Sequence, residues 1–338
     1  MPLRSLLLLV VLLATTQTDA QTPLRIVTFN AEILNAPKVR AGQLSKFRFD
    51  YAREQHIGRV ADLIETLWPD VLNLVEVTSQ TAVDQIVELL HAKGLTDYRG
   101  YHVESNDSFT GMDVAVITRL KVDQVDDKKI RTIYSSATDP TWRQSFSYTD
   151  FNGKPRKGTT SVSRNSIYFM TIAGWKLGFF GLHLKSNPSD EYSNAKRTGE
   201  TEVVVRAIHG EIVRRGYLPI VLGDINDYDP EVPDRDETRS TLTNVLVSLK
   251  DYDKQQSGAE LFNTAAAIPR QADRYSTHWD WNENGADDPQ DVYTMIDHIL
   301  LPVALRPYLK RSFVAHVVGL ETSDHFPVVV DLLLPTKE

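Results

Sequence analysis

Short apolar runs and helical stripes alternate along this chain. Leu24–Phe29 is a run of strand length that delivers Asn30 at its end. From Ile57 through Val60, Ala61, Ile64 and Leu67 the apolar spacing is 3, 1, 3, 3, the period of a helix face, and Pro69 stops it. Val71–Val75 reads as a second strand ending at Glu76. Val83, Ile86, Val87 and Leu90 form a further stripe, closed by Gly94. Val114–Thr118 is strand-like, and Ile167–Ile172 with Leu177–Leu182 predicts a hairpin turning at Gly174 that feeds His183. A helix is expected from about Asp190 to Arg215, with Val203, Val204, Ala207 and Ile208 on one side. Ile220–Gly223 then leads into Asp224. Leu242, Val245, Leu246 and Leu249 suggest another helix, and three strands close the chain: Ile296–Leu301, Phe313–Val318 and Phe326–Leu333. Without repeat, low-complexity tract or linker, residues 21–338 read as one domain of α/β class.

Polar residues fall at the strand boundaries. Asn30, Glu76, His183, Asp224 with Asn226, Asp297, and Asp324 with His325 each stand at or beside one. Singly, each fits a bland role: a turn asparagine, a helix-start glutamate, a surface histidine. Together they fit a cleft, because strand ends in layered α/β folds hold side chains rigidly in one place.

The motifs in order are Ile26-Val27-Thr28-Phe29-Asn30, Pro69-Asp70-Val71-Leu72-Asn73-Leu74-Val75-Glu76-Val77, Gly181-Leu182-His183-Leu184-Lys185-Ser186, Leu222-Gly223-Asp224-Ile225-Asn226-Asp227, Ile296-Asp297-His298-Ile299-Leu300 and Ser323-Asp324-His325-Phe326-Pro327. This series resembles the endonuclease/exonuclease/phosphatase superfamily, the DNase I-like metal-dependent phosphoesterases. The resemblance implies a four-layer α/β sandwich, two mixed sheets packed face to face with helices outside. It also implies Mg²⁺ (or Mn²⁺) as cofactor, with Glu76 as principal ligand, Asn30 beside it and Asp324 contributing.

A phosphodiester is already anionic, so its hydrolysis needs charge neutralisation, a deprotonated water and help for the leaving oxygen. Glu76 offers the hard carboxylate oxygen that Mg²⁺ prefers. Asp224 is the candidate to orient or deprotonate the attacking water, and Asn226 can donate to the phosphate without adding charge. His325 is expected to contact a phosphate oxygen or manage a proton, with Asp297 fixing its tautomer and raising its basicity. His183, the second histidine of the DNase I-like pattern, fits a leaving-group acid or a phosphate clamp. Arg164 is a candidate phosphate contact, and Asp113 fits either a hydrogen bond within the site or a turn.

A second metal motif stands apart. Asp280, Asn282, Asn284 and Gly285, followed by Asp291, form Asp-x-Asn-x-Asn-Gly-x₅-Asp, close to a calcium loop but ending in Asp rather than bidentate Glu. It is read as a structural Ca²⁺ site bracing the approach to Asp297, against the alternative of a solvated acidic loop.

Composition narrows the picture. Of 338 residues, 45 are acidic and 37 basic, a formal net charge of −8, which excludes a surface that attracts polyanions everywhere but not a local basic patch. The absence of cysteine excludes disulfides, thiolate metal sites and thiol catalysis. Arg4, the apolar Leu6–Leu13 and the small residues around Thr18-Asp19-Ala20 read as a secretory signal over residues 1–20; an uncleaved anchor is the other reading, but the run is far shorter than the ~20 residues that span a bilayer. The mature chain is thus expected to begin at Gln21, to work outside the cytoplasm and to have no transmembrane segment. Asn106-Asp107-Ser108 is a glycosylation sequon.

Substrate class is the least determined. Asn152-Gly153 signals a hairpin in the insertion between Arg119 and Arg164. Lys154, Arg156 and Lys157 follow the turn, and Trp142, Phe146, Tyr148 and Phe151 precede it. These would suit a nucleic-acid strand, or equally protect an exposed sheet edge. A nuclease is the leading expectation, nucleic acid the expected partner, and no stable protein partner is implied. A phosphodiesterase or phosphatase on phospholipids (sphingomyelinase-like) or small phosphate esters is the alternative, and a catalytically inactive binding module the third reading.

Overall fold

The computed structural model describes residues 21–39, 53, 55–107, 109–135, 139–237, 243–253, 255, 260–282 and 284–337. Residues 1–20, where a secretory signal is expected, Leu242 and Ser108 of the sequon lie outside the described residues. Two six-stranded mixed sheets carry the fold. Numbered along the chain, the first contains β1 (Gln21–Leu34), β2 (Val71–Val77), β3 (Arg99–Tyr101), β4 (Asp113–Thr118), β15 (Leu309–Val314) and β16 (Val328–Pro335), in the order β15-β16-β1-β2-β4-β3. The second contains β5 (Ile130–Arg131), β8 (Asn165–Ile172), β9 (Trp175–His183), β10 (Leu218–Asp224), β11 (Leu261–Asn263) and β14 (Asp297–Pro302), in the order β11-β14-β10-β9-β8-β5. Two small ribbons stand outside them, β6 (Gln144–Thr149) with β7 (Pro155–Thr160), and β12 (Thr277–Trp279) with β13 (Val292–Thr294).

Each large sheet holds one parallel pair, and each pair needs a crossover. α1 (His56–Leu67) joins β1 to β2, and α3 (Glu191–Ala207) joins β9 to β10. α2 (Gln80–Ala92) and α4 (Val245–Lys250) complete the outer layers. Ser79 caps α2 by accepting from Ala82 N, and Asp190 caps α3 by accepting from Ser193 N.

Strand alternation separates three cores. Ile26 of β1, Phe179 of β9 and Leu222 of β10 point between the sheets with Val328 and Val330 of β16. Val27 and Phe29 point the other way, onto Val60 and Ile64 of α1. Phe180, Leu182 and Val221 meet Val203 and Val204 of α3. Three cores divide four layers, the α/β sandwich expected. Among the described residues no helix is long and apolar enough to cross a membrane.

Several boundaries differ from expectation. Glu76 is inside β2, not at its end, and β1 runs past Asn30 to Leu34; register shifts interrupt the ladder between Asn30 and Leu34 and between Val75 and Val77. The long helix stops at Ala207, passing through a π turn at Ile208–Ile212 and a 3₁₀ turn at Val213–Arg215. β14 starts at Asp297, and β15 ends at Val314 instead of Val318.

The hairpin around Asn152-Gly153 is present, but its aromatics are mostly used for packing. Phe146 and Tyr148 ring-stack with each other and meet Tyr192 of α3, with centroids 5.8 and 5.0 Å away, and Trp142 packs on the outer core. Arg156 pairs with Asp150 at 2.8 Å. That leaves Phe151 (98% exposed), Lys154 and Lys157 facing solvent near the tip.

Candidate active site

The two parallel pairs aim their C-terminal ends at one place. Asn30 ends the regular part of β1, and Glu76 stands at the bulge just after the regular part of β2; His183 and Asp224 end β9 and β10 and are register partners. Antiparallel β14 begins at the same end, so Asp297 pairs opposite Asp224. His325 precedes β16, antiparallel to β1, and bridges to Thr277 of β12.

The side chains meet. Asn30 Nδ2 is 3.3 Å from Glu76 Oε1, 3.1 Å from Asp224 Oδ2 and 3.5 Å from His325 Nε2. His183 Nε2 is 3.7 Å from Glu76 Oε1 and 3.6 Å from Asp224 Oδ2. His325 Nδ1 pairs with Asp297 Oδ2 at 2.7 Å. Arg164 Nη1 lies 3.1 Å from His183 Nδ1 and 3.2 Å from its Nε2. Asn226 N donates to Asp224 Oδ1 at 2.9 Å, while its Nδ2 donates to Leu184 O at 3.3 Å. Asp324, half-exposed, stands at the mouth with Oδ1 3.8 Å from His325 Nε2.

Backbone geometry sets these directions. Glu76 has φ 63° at the bulge, which turns its carboxylate out of the ladder; bulges commonly re-aim side chains beside active sites. Glu32 and Ile33 also have positive φ, at 47° and 56°, and lend their N–H groups to Asn30 Oδ1 (3.0 Å) and Glu76 Oε2 (2.9 Å). Left-handed backbone at a β-branched isoleucine is strained, and such strain persists where surroundings over-determine it. Gly223 has φ 131°, and a Cβ there would lie 2.0 Å from Leu182 O, so only glycine lets β10 approach β9 just before Asp224.

Burial and crowding set the electrostatics. Desolvation foremost, then the charge of Asp297, pushes the Asp224 carboxyl up to about 7. Burial raises that of Glu76 as well. His183 is pushed well below its ordinary value, by burial first and then by Arg164 and His325, so it is neutral. For His325 burial opposes the charged form, but Asp297 and Asp324 outweigh it and hold the imidazole well above its usual range. The result is a neutral histidine beside Glu76 and Asp224 and a cationic one beside Asp297, in one carboxylate cluster.

A divalent cation fits this donor set. Buried Asp224 and Asp297 and half-buried Glu76 bring three carboxylates to one place, and Asp297 Oδ1 is buried without a hydrogen-bond partner. Carboxylate oxygens of Asp224 and Asp297 lie within 4.8 Å of each other and of a ring nitrogen of His325, which, being cationic, leaves the carboxylates as the donors. Hard oxygens suit Mg²⁺ or Mn²⁺. Asn30 turns its nitrogen to the cluster and its oxygen to Glu32 N.

The remaining candidates lie apart. Asp113 is buried but accepts from His102 Nε2 and Ser105 N, outside the cluster. In the acidic loop, Asp280 accepts from Asn282 N and Gly285 N, Asn282 Oδ1 from Asn284 N, and Asn284 Oδ1 from Ala286 N. Asp291 turns to His278 Nε2 at 2.7 Å and to Asp288 N.

Other residues that complete the site carry little sequence signal. Ser276 Oγ donates to Asp297 Oδ2 at 2.8 Å and accepts from Asp297 N. Ser323 Oγ donates to Asn30 O and accepts from His325 N, tying β1 to the histidine loop. Fully buried Arg197 of α3 donates to Asp227 Oδ2 at 2.9 Å and to Lys185 O at 2.8 Å, and Glu200, one turn on, accepts from Lys185 N at 2.7 Å. Only Ser323, inside the Ser-Asp-His-Phe-Pro motif, could be noticed in advance.

No family model matches the sequence, and no curated protein sequence matches it. Solved structures do. An AP endonuclease from Archaeoglobus fulgidus superposes with a TM-score of 0.56 at 15% identity, over 91% of this chain and 98% of that one. An endonuclease/exonuclease/phosphatase family protein from Leptotrichia buccalis gives 0.55 at 18%, again over 91% and 98%. D. rerio TDP2, complexed with a single-strand DNA product, gives 0.51 at 16%, over 92% and 98%. At such identities the likeness is one of fold, and on that ground this chain has the DNase I-like fold of the endonuclease/exonuclease/phosphatase proteins.

Proposed function

We propose that this protein is a secreted phosphodiesterase that hydrolyses nucleic-acid phosphodiester bonds, with DNA as first substrate. One observation carries the reading: a single buried amide, Asn30 Nδ2, reaches Glu76, Asp224 and His325 at once, from strands of both sheets. A bound Mg²⁺ or Mn²⁺ would be held by Glu76, with Asp324 at the mouth, and would supply neutralisation of the scissile phosphate's charge. Asp224, with a carboxyl near neutrality, accepts the proton of the attacking water. Cationic His325, fixed by Asp297, faces a phosphate oxygen and stabilises the charge that develops there. Arg164 and neutral His183 sit together on the other side, placed to bind phosphate and to serve the leaving oxygen. Asn226, rigid in its turn, lines the same wall. Support for nucleic acid comes from the A. fulgidus neighbour, an AP endonuclease, and from D. rerio TDP2, which was complexed with a single-strand DNA product; secretion is proposed from residues 1–20.

The test incubates the mature chain with supercoiled plasmid, RNA, sphingomyelin and p-nitrophenyl phosphoesters, in Mg²⁺, Mn²⁺ or EDTA. Nicking of plasmid that EDTA stops is expected. Turnover of lipid alone would replace the nuclease with a phospholipase-type reading. Glu76→Ala should abolish activity together with metal uptake, whereas His325→Ala should abolish it with metal uptake retained. Full activity in either variant overturns the assignment.

A further inference from the structure

A second group of ligating side chains converges where the chain leaves β3 and enters β4. His102 and Glu104 are two residues apart in the irregular segment after Tyr101. Asp113 opens the neighbouring strand. His102 Nε2 lies 2.8 Å from Asp113 Oδ2, and one ligand atom of each of the three residues is within 4.8 Å of the others. Asp113 and the His102 ring are buried, and Glu104 is exposed, so two ligands form a floor and the third stands at the opening. Backbone contacts fix the floor: His102 N donates to Gln80 Oε1 at 3.0 Å and Ser105 N to Asp113 Oδ1 at 2.8 Å.

We propose that His102, Glu104 and Asp113 bind one Zn²⁺, distinct from the phosphoester site and independent of its assignment. An imidazole nitrogen with two carboxylate oxygens is a zinc donor set, unlike the all-oxygen shells of Mg²⁺ and Ca²⁺. Tetrahedral zinc places its ligands about 3.3 Å apart, so its binding would release the proton shared by His102 Nε2 and Asp113, open their 2.8 Å contact by about half an ångström and draw in the exposed Glu104 side chain. The ion would anchor the loop that follows. That loop carries Asp107, 3.5 Å from Arg164 Nε, and Met112, whose sulfur is 4.0 Å from Arg164 Nη1. Zinc here would therefore steady the arginine that lies against His183.

Equilibrium dialysis of the metal-stripped mature chain against Zn²⁺, with elemental analysis, tests this. Glu76→Gln should keep one zinc per chain at this site. His102→Ala should lose that equivalent, and Glu104→Gln should weaken it by roughly tenfold or more, at least the effect of losing an outer partner of a metal ligand. Because Glu104 is exposed, its variant keeps the fold, and Zn²⁺ should raise the melting temperature of Glu76→Gln more than that of Glu104→Gln. Equal zinc uptake and affinity in wild type and Glu104→Gln overturns the proposal. So does complete loss of zinc uptake in Glu76→Gln.

Discussion

A buried imidazole stays charged only if something close repays its lost hydration. At His325 that is Asp297, 2.7 Å from Nδ1, itself oriented by Ser276. Replacing Asp297 by Asn keeps the shape and removes the charge that raises the His325 pKa. On the proposed chemistry kcat should fall by about 10²–10⁴, the usual worth of a positioned acid–base group. The alkaline limb of the pH–kcat profile should move to lower pH, because the imidazolium then deprotonates earlier. An unchanged profile would mean that His325 does not act as a cation. At this scale the sequence was informative where chemistry and position coincide: His325 and Asp297 each stand in a strand-edge motif. Ser276 was silent, since a serine becomes an orienting group only through a contact 21 residues away.

Elements decide whether those side chains meet. α3 does more than cross over between β9 and β10; Arg197 and Glu200 grip the two backbone groups of Lys185, and Arg197 also takes Asp227. Leu184, next to Lys185, supplies the carbonyl that receives Asn226 Nδ2. The helix thus couples the loop after His183 to the loop after Asp224. Arg197→Met should leave Asp227 as a buried charge without its cation, a loss of about 3–5 kcal/mol measurable by urea unfolding. A cost below about 1 kcal/mol, that of an exposed pair, would show the contact to be incidental. The helix itself was legible from its apolar stripe, which placed its start near Asp190. Its π turn was not, nor was the bulge that turns Glu76 inward, because an extra residue in a ladder is defined against the partner strand's register, which local periodicity does not encode.

Across the whole molecule, a net charge of −8 surrounds a pocket that itself concentrates carboxylates, and this burden has a measurable signature. Asp224 is raised from 3.8 to about 7 in the folded chain by burial and by Asp297. Between those values the metal-free folded state holds a proton that the unfolded state has released. Stability contributed by this group therefore declines as pH rises from about 4 to about 7 and is level above. Glu76 and His325, also raised, act in the same sense, His325 above its ordinary value; neutral His183 acts oppositely, losing stability as pH falls below 6.5. Comparing wild type with Asp224→Asn largely cancels these other groups. Without metal, the variant should gain stability relative to wild type as pH rises through that window, followed by chemical denaturation at fixed ionic strength. Millimolar Mg²⁺ held at Glu76 should then stabilise wild type more than the variant, since the neighbouring Asp224 carboxylate strengthens cation binding and stabilisation grows with that binding. If Mg²⁺ stabilises wild type and variant equally at pH 8, the carboxylate cluster does not hold that ion, and its charge must be compensated by substrate or by protons alone.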